Sequence, residues 1–237
     1  MPEARRINWR VVFIEGATIA VSILLAFAVD AWWDNQRDRE KLDNGLANLQ
    51  AELRSNIERI DRYQQLHQSI VDAGVSLLAA KPGEVTVDQC GHVFLQGWVT
   101  EYSTGALDIV LASTRLDLLE DQQLRAQLMA LPAGYEDAIE DELWAIDELM
   151  GKWIPFISKV MPVGDLWALA LPGVEFPVTG DTANADVSEA AATLEFRNHV
   201  TNRIGFELLS IDAQRGLRKK LEALIARIGA TVGTPRA

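Results

Sequence analysis

The chain has 237 residues, 49% of them hydrophobic and 24% charged, with a net charge of −12 at pH 7. That balance suits one folded domain plus an added apolar segment and excludes wholesale disorder. The acidic excess argues against nucleic acid as a partner, since a phosphate-binding surface needs clustered Lys and Arg. The single cysteine, Cys90, rules out an internal disulfide and an all-cysteine metal site.

Residues 1–10 form a short basic tail with Arg5, Arg6 and Arg10. From Val11 to Trp33 the chain is apolar or small except for Glu15, Thr18, Ser22 and Asp30, which predicts a transmembrane helix over 11–33 and a lipid bilayer as its partner. At 1.5 Å rise per residue, Trp9 and Trp32 stand about 35 Å apart on such a helix. Trp9, Trp32 and Trp33 then serve as interface anchors on the two sides of an apolar layer about 30 Å thick. Two other readings stay open: a signal peptide cleaved after Ala26-Phe27-Ala28, and a buried core helix. The count of positive charge is nearly tied, because Arg37, Arg39 and Lys41 follow the helix. The short tail favours a cytoplasmic N-terminus and a periplasmic bulk domain, residues 34–237.

At 100° per residue, Glu15, Ser22, Ala26 and Trp33 fall within about 20° of one another, with Asp30 about 60° away. Ser22-x-x-x-Ala26 is a small-xxx-small step that permits close helix approach, and Gly16-x-x-x-Ala20 is another on a neighbouring face. Lipid does not solvate an acid, so Glu15, Ser22, Ala26 and Asp30 make a candidate association stripe. In the alternative, Glu15 snorkels to nearby headgroups.

The stretch EGATIAVSILLAFAVDAWWD resembles the N-terminal signature of an uncharacterised bacterial single-pass membrane-protein family, a domain of unknown function. That signature reads Glu, six residues, Gly-Ile-Leu-Ile-Ala, then Asn-x-Trp and an acid. Its positions fall on Glu15, Ser22 to Ala26, Asp30, Trp32 and Asp34, with Ser22 in place of the Gly and Asp30 in place of the Asn. A second block, Ala106 to Leu128, is similar to the family's middle segment, including its Leu-Arg pair at Leu124-Arg125. From Leu194 onward the likeness is one of helical character. The resemblance implies membrane anchoring and a helical domain and brings no function with it; the localisation expected for the chain is the bacterial inner membrane.

Beyond Asp34 the pattern predicts an all-α bundle. Leu42, Leu46, Leu49, Leu53, Ile57, Ile60 and Tyr63 recur at steps of three and four, so the first helix should run on to about Ala80, where Lys81-Pro82-Gly83 stops it. This seam serves either a parallel coiled-coil stalk or an antiparallel bundle. Thr86-x-x-Gln89 has the form of a capping box and opens a second helix. Two further helices are predicted over Gly105–Ser113 and Leu116–Leu131, and Pro132-Ala133-Gly134 should interrupt before the amphipathic stretch from Tyr135, which Pro155 kinks. The segment 162–182, with Trp167, Leu169, Leu171 and Phe176, reads as an ordered loop on the bundle. Asp186-x-x-Glu189 should cap a last helix over about 187–229, with Val200, Ile204, Leu208, Ile211, Leu221, Leu224 and Ile228 along its seam.

No motif for catalysis, a cofactor or a metal is present. Cys90-Gly91-His92 lacks the four ligands of structural zinc, and Cys90 reads as a small buried hydrophobe. His67 and His199 have no sequence-local acid and nucleophile. The acids of 136–148 include Glu136/Glu140 and Asp137/Asp141 one turn apart, but read as a solvated face. Arg215, Arg218, Lys219, Lys220 and Arg227 are expected to pair with them across the bundle, the alternative being contact with lipid headgroups if this helix end returns to the membrane. The expectation is a non-enzymatic, membrane-anchored interaction or assembly module that self-associates through anchor and stalk. The alternatives are a sensory bundle with a ligand groove near Trp153, Trp167 and Phe176, and a subunit of a larger membrane complex.

Overall fold

The computed structural model describes residues 9–161, 163, 164, 167 and 187–232, and among them no strand occurs. α1 (Trp9–Ala79) is a single helix of 71 residues, about 105 Å long. Nothing in its sequence breaks it before Pro82, which opens a short 3-10 turn, Pro82–Glu84. Its lower third, Phe13 to Arg37, carries only exposed side chains, and the first buried one is Leu42.

The chain then turns back along α1 as a broken limb. α2 (Val87–Phe94) is capped by Thr86 as expected: the Gln89 backbone N–H donates to Thr86 Oγ1 at 3.3 Å and the Thr86 N–H to Gln89 Oε1 at 3.0 Å. Residues 95–104 are not helical, α3 (Gly105–Ala112) follows, and a 3-10 turn over Thr114–Leu118 brings Arg115 to Asp38 of α1, with Nε to Oδ1 at 2.9 Å.

α4 (Gln122–Glu148) climbs beside the limb. It starts later than the expected Leu116, because Asp121 caps it by accepting from the backbone N–H groups of Gln123 and Leu124, each at 3.0 Å. It also runs unbroken through Pro132, where an interruption was expected. An interior proline costs about 3 kcal/mol, and the buried Leu131 and Tyr135 on either side each return about 1.5–3 kcal/mol. A π turn, Leu149–Trp153, precedes α5 (Ile154–Val160), with Pro155 in its first turn.

α6 (Ser188–Ala191) and α7 (Leu194–Val232) replace the single last helix predicted from Asp186; Asp186 itself lies outside the described residues. The chain breaks at Ala192–Thr193, where Thr193 Oγ1 takes the N–H of Phe196 at 3.2 Å. α7 descends antiparallel to α1, as Gln50 Nε2 donating to the Ile225 carbonyl (2.9 Å) and Arg197 Nη1 to the Leu78 carbonyl (3.3 Å) show at its two ends.

α1, the α2–α3 limb, α4 and α7 thus form an up-down-up-down four-helix bundle, the antiparallel alternative for the seam. α7 and the limb occupy the two positions between the diagonal pair α1 and α4. Its interior is divided. The core nearer the exposed end of α1 contains Leu46, Leu49, Leu53, Leu107, Leu128 and Leu221. The far core contains Cys90, Phe94, Trp153, Phe156, Phe196 and Val200, with Trp153 stacked on Phe94 at 4.2 Å between ring centroids.

Candidate functional site

The residues of the predicted stripe, Glu15, Ser22, Ala26 and Asp30, are all exposed on the free segment of α1. That segment is long and apolar enough to cross a membrane, with a mean hydropathy of 1.9, and none of it is buried in the fold. It is therefore not a core helix of this bundle. Trp32 and Trp33 sit side by side at its upper end with ring centroids 5.8 Å apart, and Trp9 lies in the helix at the other end. Two polar groups of the segment are satisfied internally: Thr18 Oγ1 donates to the Ile14 carbonyl and Ser22 Oγ to the Thr18 carbonyl, both at 2.8 Å. The carboxylates of Glu15 and Asp30 have no such partner among the described residues.

A second constellation lies between the two cores. His67 of α1, Glu142 of α4 and Glu207, Arg203 and Gln214 of α7 meet with Thr100 of the limb, every one at most 1% exposed. His67 Nδ1 lies 2.5 Å from Glu207 Oε2 and Nε2 lies 3.5 Å from Glu142 Oε1. Arg203 Nη1 pairs with Glu207 Oε1 at 2.7 Å. Burial alone would lower the imidazole's proton affinity, but its bonds to Glu142 and Glu207 and their charges outweigh that and raise its pKa to about 9. With His67 protonated, two carboxylates face two cations.

The layer has a local cause in the broken limb. Helix normally satisfies its own backbone; the non-helical stretch 95–104 does not. Side chains of the other helices supply the missing partners. Glu142 accepts from the Thr100 N–H at 2.6 Å and from Thr100 Oγ1 at 2.7 Å. Arg203 donates to the carbonyls of Val93 at 3.3 Å and of Gln96. Asn56 donates to the Ser103 carbonyl at 2.8 Å and accepts from its N–H at 2.9 Å, while Glu52 takes the N–H groups of Ala106 and Leu107 at the start of α3, at 2.8 and 3.1 Å. Each of these contacts crosses from one element to another, so the layer locks limb to helices. Its side chains are closed to solutes, and the triad-like order Glu207–His67–Glu142 ends on Thr100, whose hydroxyl hydrogen is already given to Glu142.

Sequence reasoning about isolated histidines passed over this layer. The signal it missed is periodic: Asn56, His67, Glu142, Glu207 and Gln214 fall at inward positions of otherwise apolar seams. Glu207 takes the inward place expected of Leu208, which faces outward. Glu142 and Glu148 are buried, so the acids of 136–148 are not a uniformly solvated face. Two of the basic residues of α7 pair elsewhere than expected: Arg218 Nε with Asp61 Oδ1 of α1 at 2.8 Å, and Arg227 with Asp121 at the start of α4. Arg227 holds the Asp121 carboxyl below its ordinary value, aided by the Leu124 N–H.

Cys90 is buried, and burial pushes its thiol up to about 12. Trp153 is fully buried against Phe94 and His199, so its position is filled core; of the rest of the anticipated groove, Trp167 is half-buried and Phe176 lies outside the described residues, as do Leu169 and Leu171 of the expected ordered loop. Among the described residues no group of three or more His, Cys, Asp or Glu side chains is arranged to hold a metal ion. In comparisons with known proteins, no family model, curated protein or solved structure matches the chain.

Proposed function

We propose that this protein is a single-pass, membrane-anchored assembly module without catalytic activity, seated in the bacterial inner membrane with its N-terminus in the cytoplasm and its bundle in the periplasm. One observation carries the reading: the segment from Phe13 to Trp33 leaves the fold with every side chain uncovered, including Phe13 at 78% and Phe27 at 67% exposed. So large a contiguous apolar surface needs lipid or protein around it. Its length matches a hydrocarbon layer about 30 Å thick. Arg5, Arg6 and Arg10 on the short side support the orientation.

The stripe Glu15, Ser22, Ala26 and Asp30 is the self-association face. Thr18 and Ser22 are already bonded within the helix, which leaves the carboxylates as the groups that gain from a facing helix. Native mass spectrometry of the full-length protein in nanodiscs tests this, alongside Glu15→Ala and Ala26→Leu. A defined oligomer that weakens in both variants is the expected outcome. Monomers throughout, or an oligomer indifferent to both substitutions, would overturn self-association through this stripe.

A further inference from the structure

Among the described residues no element covers the outer face shared by α4 and α7. On it Trp144 and Leu209 are each 50% exposed. Two hollows meet at Phe206, one of about 500 Å³ beside Trp144 and Gly151, the other of about 410 Å³ beside Gly205 and Leu209. A Cβ built on Gly151 or Gly205 would meet nothing within 4 Å, so the groove admits close approach of another backbone. Isolated exposed apolar residues are ordinary; a half-exposed Trp at the centre of a grooved patch is the composition of an interface anchor.

The rim is acidic. Asp147 lines the hollow beside Trp144, and Asp137, Asp141 and Asp212 crowd the end of the groove nearer the anchor. None of these four carboxylates has an ion-pair partner among the described residues. Partial burial raises the Asp141 carboxyl above its ordinary value, and the charges of Asp137 and Asp212 add to that. A cation placed there would relieve that repulsion. The Lys152 ammonium nearby is already held by Glu148 at 2.6 Å.

Two occupants are disfavoured, and this step rests on the anchored reading above. Trp144 stands near the level of His67, about 50 Å along α1 beyond Trp33, too far for lipid headgroups to cover it. A second copy in the same membrane would meet this face at the same height, setting Asp212 against Asp212 and Asp141 against Asp141. We infer that the α4–α7 groove docks a basic amphipathic helix of a partner protein, whose apolar side chains seat on Trp144, Phe206 and Leu209 and whose Lys or Arg side chains face Asp137, Asp141, Asp147 and Asp212. The parallel walls of a helix pair suit a third helix with anchors three and four residues apart.

The test uses the full-length protein in phosphatidylcholine nanodiscs and two fluorescent 18-residue amphipathic peptides, one of Leu and Lys, the other of Leu and Glu. The Lys peptide should bind one per chain above the empty-disc background, and the Glu peptide should not. Trp144→Ser with Leu209→Ser should weaken binding at least ten-fold, as should Asp141→Asn with Asp212→Asn. Trp144, Leu209 and Asp212 are exposed and Asp141 is half-buried, and unchanged circular dichroism checks the fold. Equal binding of both peptides, or a Lys peptide indifferent to the paired substitutions, would overturn the proposal. So would a photo-cross-linker at Trp144 that joins two copies of the chain. The oligomeric state of the same samples reports separately on the anchor stripe, so either idea can fail alone.

Discussion

His67 and Glu207, 140 residues apart in the chain, meet at 2.5 Å inside the bundle and tie α1 to α7 at the level where the limb loses its helix. His67→Ala leaves two buried carboxylates with Arg203 as their only cation. Removing one partner from a buried charge group costs about 3–5 kcal/mol. Denaturant unfolding of the full-length protein in detergent, followed by circular dichroism, should show that loss; a cost below about 1 kcal/mol would contradict the account of the layer.

The same bond predicts an alkaline weakness. A group whose pKa rises on folding, here from 6.5 to about 9, contributes its stability in full below the unfolded value and loses it as pH rises through the folded one. The unfolding free energy should therefore fall by on the order of 3 kcal/mol between pH 7 and 10 through this group. His67→Gln should flatten the difference. Parallel pH profiles for the two proteins would sink the prediction.

Two glycines should answer the same substitution with opposite signs. A Cβ on Gly74 would lie 2.8 Å from Ile204 Cγ1, in the packed seam between α1 and α7, whereas one on Gly216 meets nothing within 4 Å. Gly74→Ala should destabilise the bundle by about 1–3 kcal/mol through overpacking. Gly216→Ala should stabilise it by about 0.5–1 kcal/mol through helix propensity. Melting temperatures measured side by side would check both.

Glu52 acts as the cap of a helix to which it does not belong. Its carboxylate takes the Ala106 and Leu107 N–H groups and the Ser103 hydroxyl, the last at 3.2 Å. Glu52→Ala should cost about 1–2 kcal/mol, as loss of a strong N-cap does. Hydrogen exchange should quicken first over 103–112, and an unchanged pattern there would show that the contact is not what holds α3.

The repeating seam of α1 and the capping box at Thr86 were legible because they are local: a period and a four-residue motif. Pro132 misled because its penalty is local while the burial of Leu131 and Tyr135 that outweighs it is tertiary. The break at Ala192–Thr193 has a local cause instead, since Thr193 offers a second cap that competes with Asp186-x-x-Glu189. The polar layer was hidden because its meaning is pairwise. Glu142 in isolation is one more acid in an acidic run, and only the approach of Thr100, 42 residues away, gives its burial a purpose. The uncovered apolar segment was readable throughout, since hydropathy over consecutive residues requires no knowledge of the fold.

α1 passes from the free apolar segment into the bundle with no joint, a single helix from Trp9 to Ala79. In the bilayer proposed above it would behave as a lever with its fulcrum at the membrane surface. From Trp33 to Ala79 the arm is about 70 Å long, so a tilt change of about 10° would swing the far core sideways by about 12 Å. Neighbouring copies gathered by their membrane segments would splay or close at their outer ends with each small adjustment in bilayer thickness.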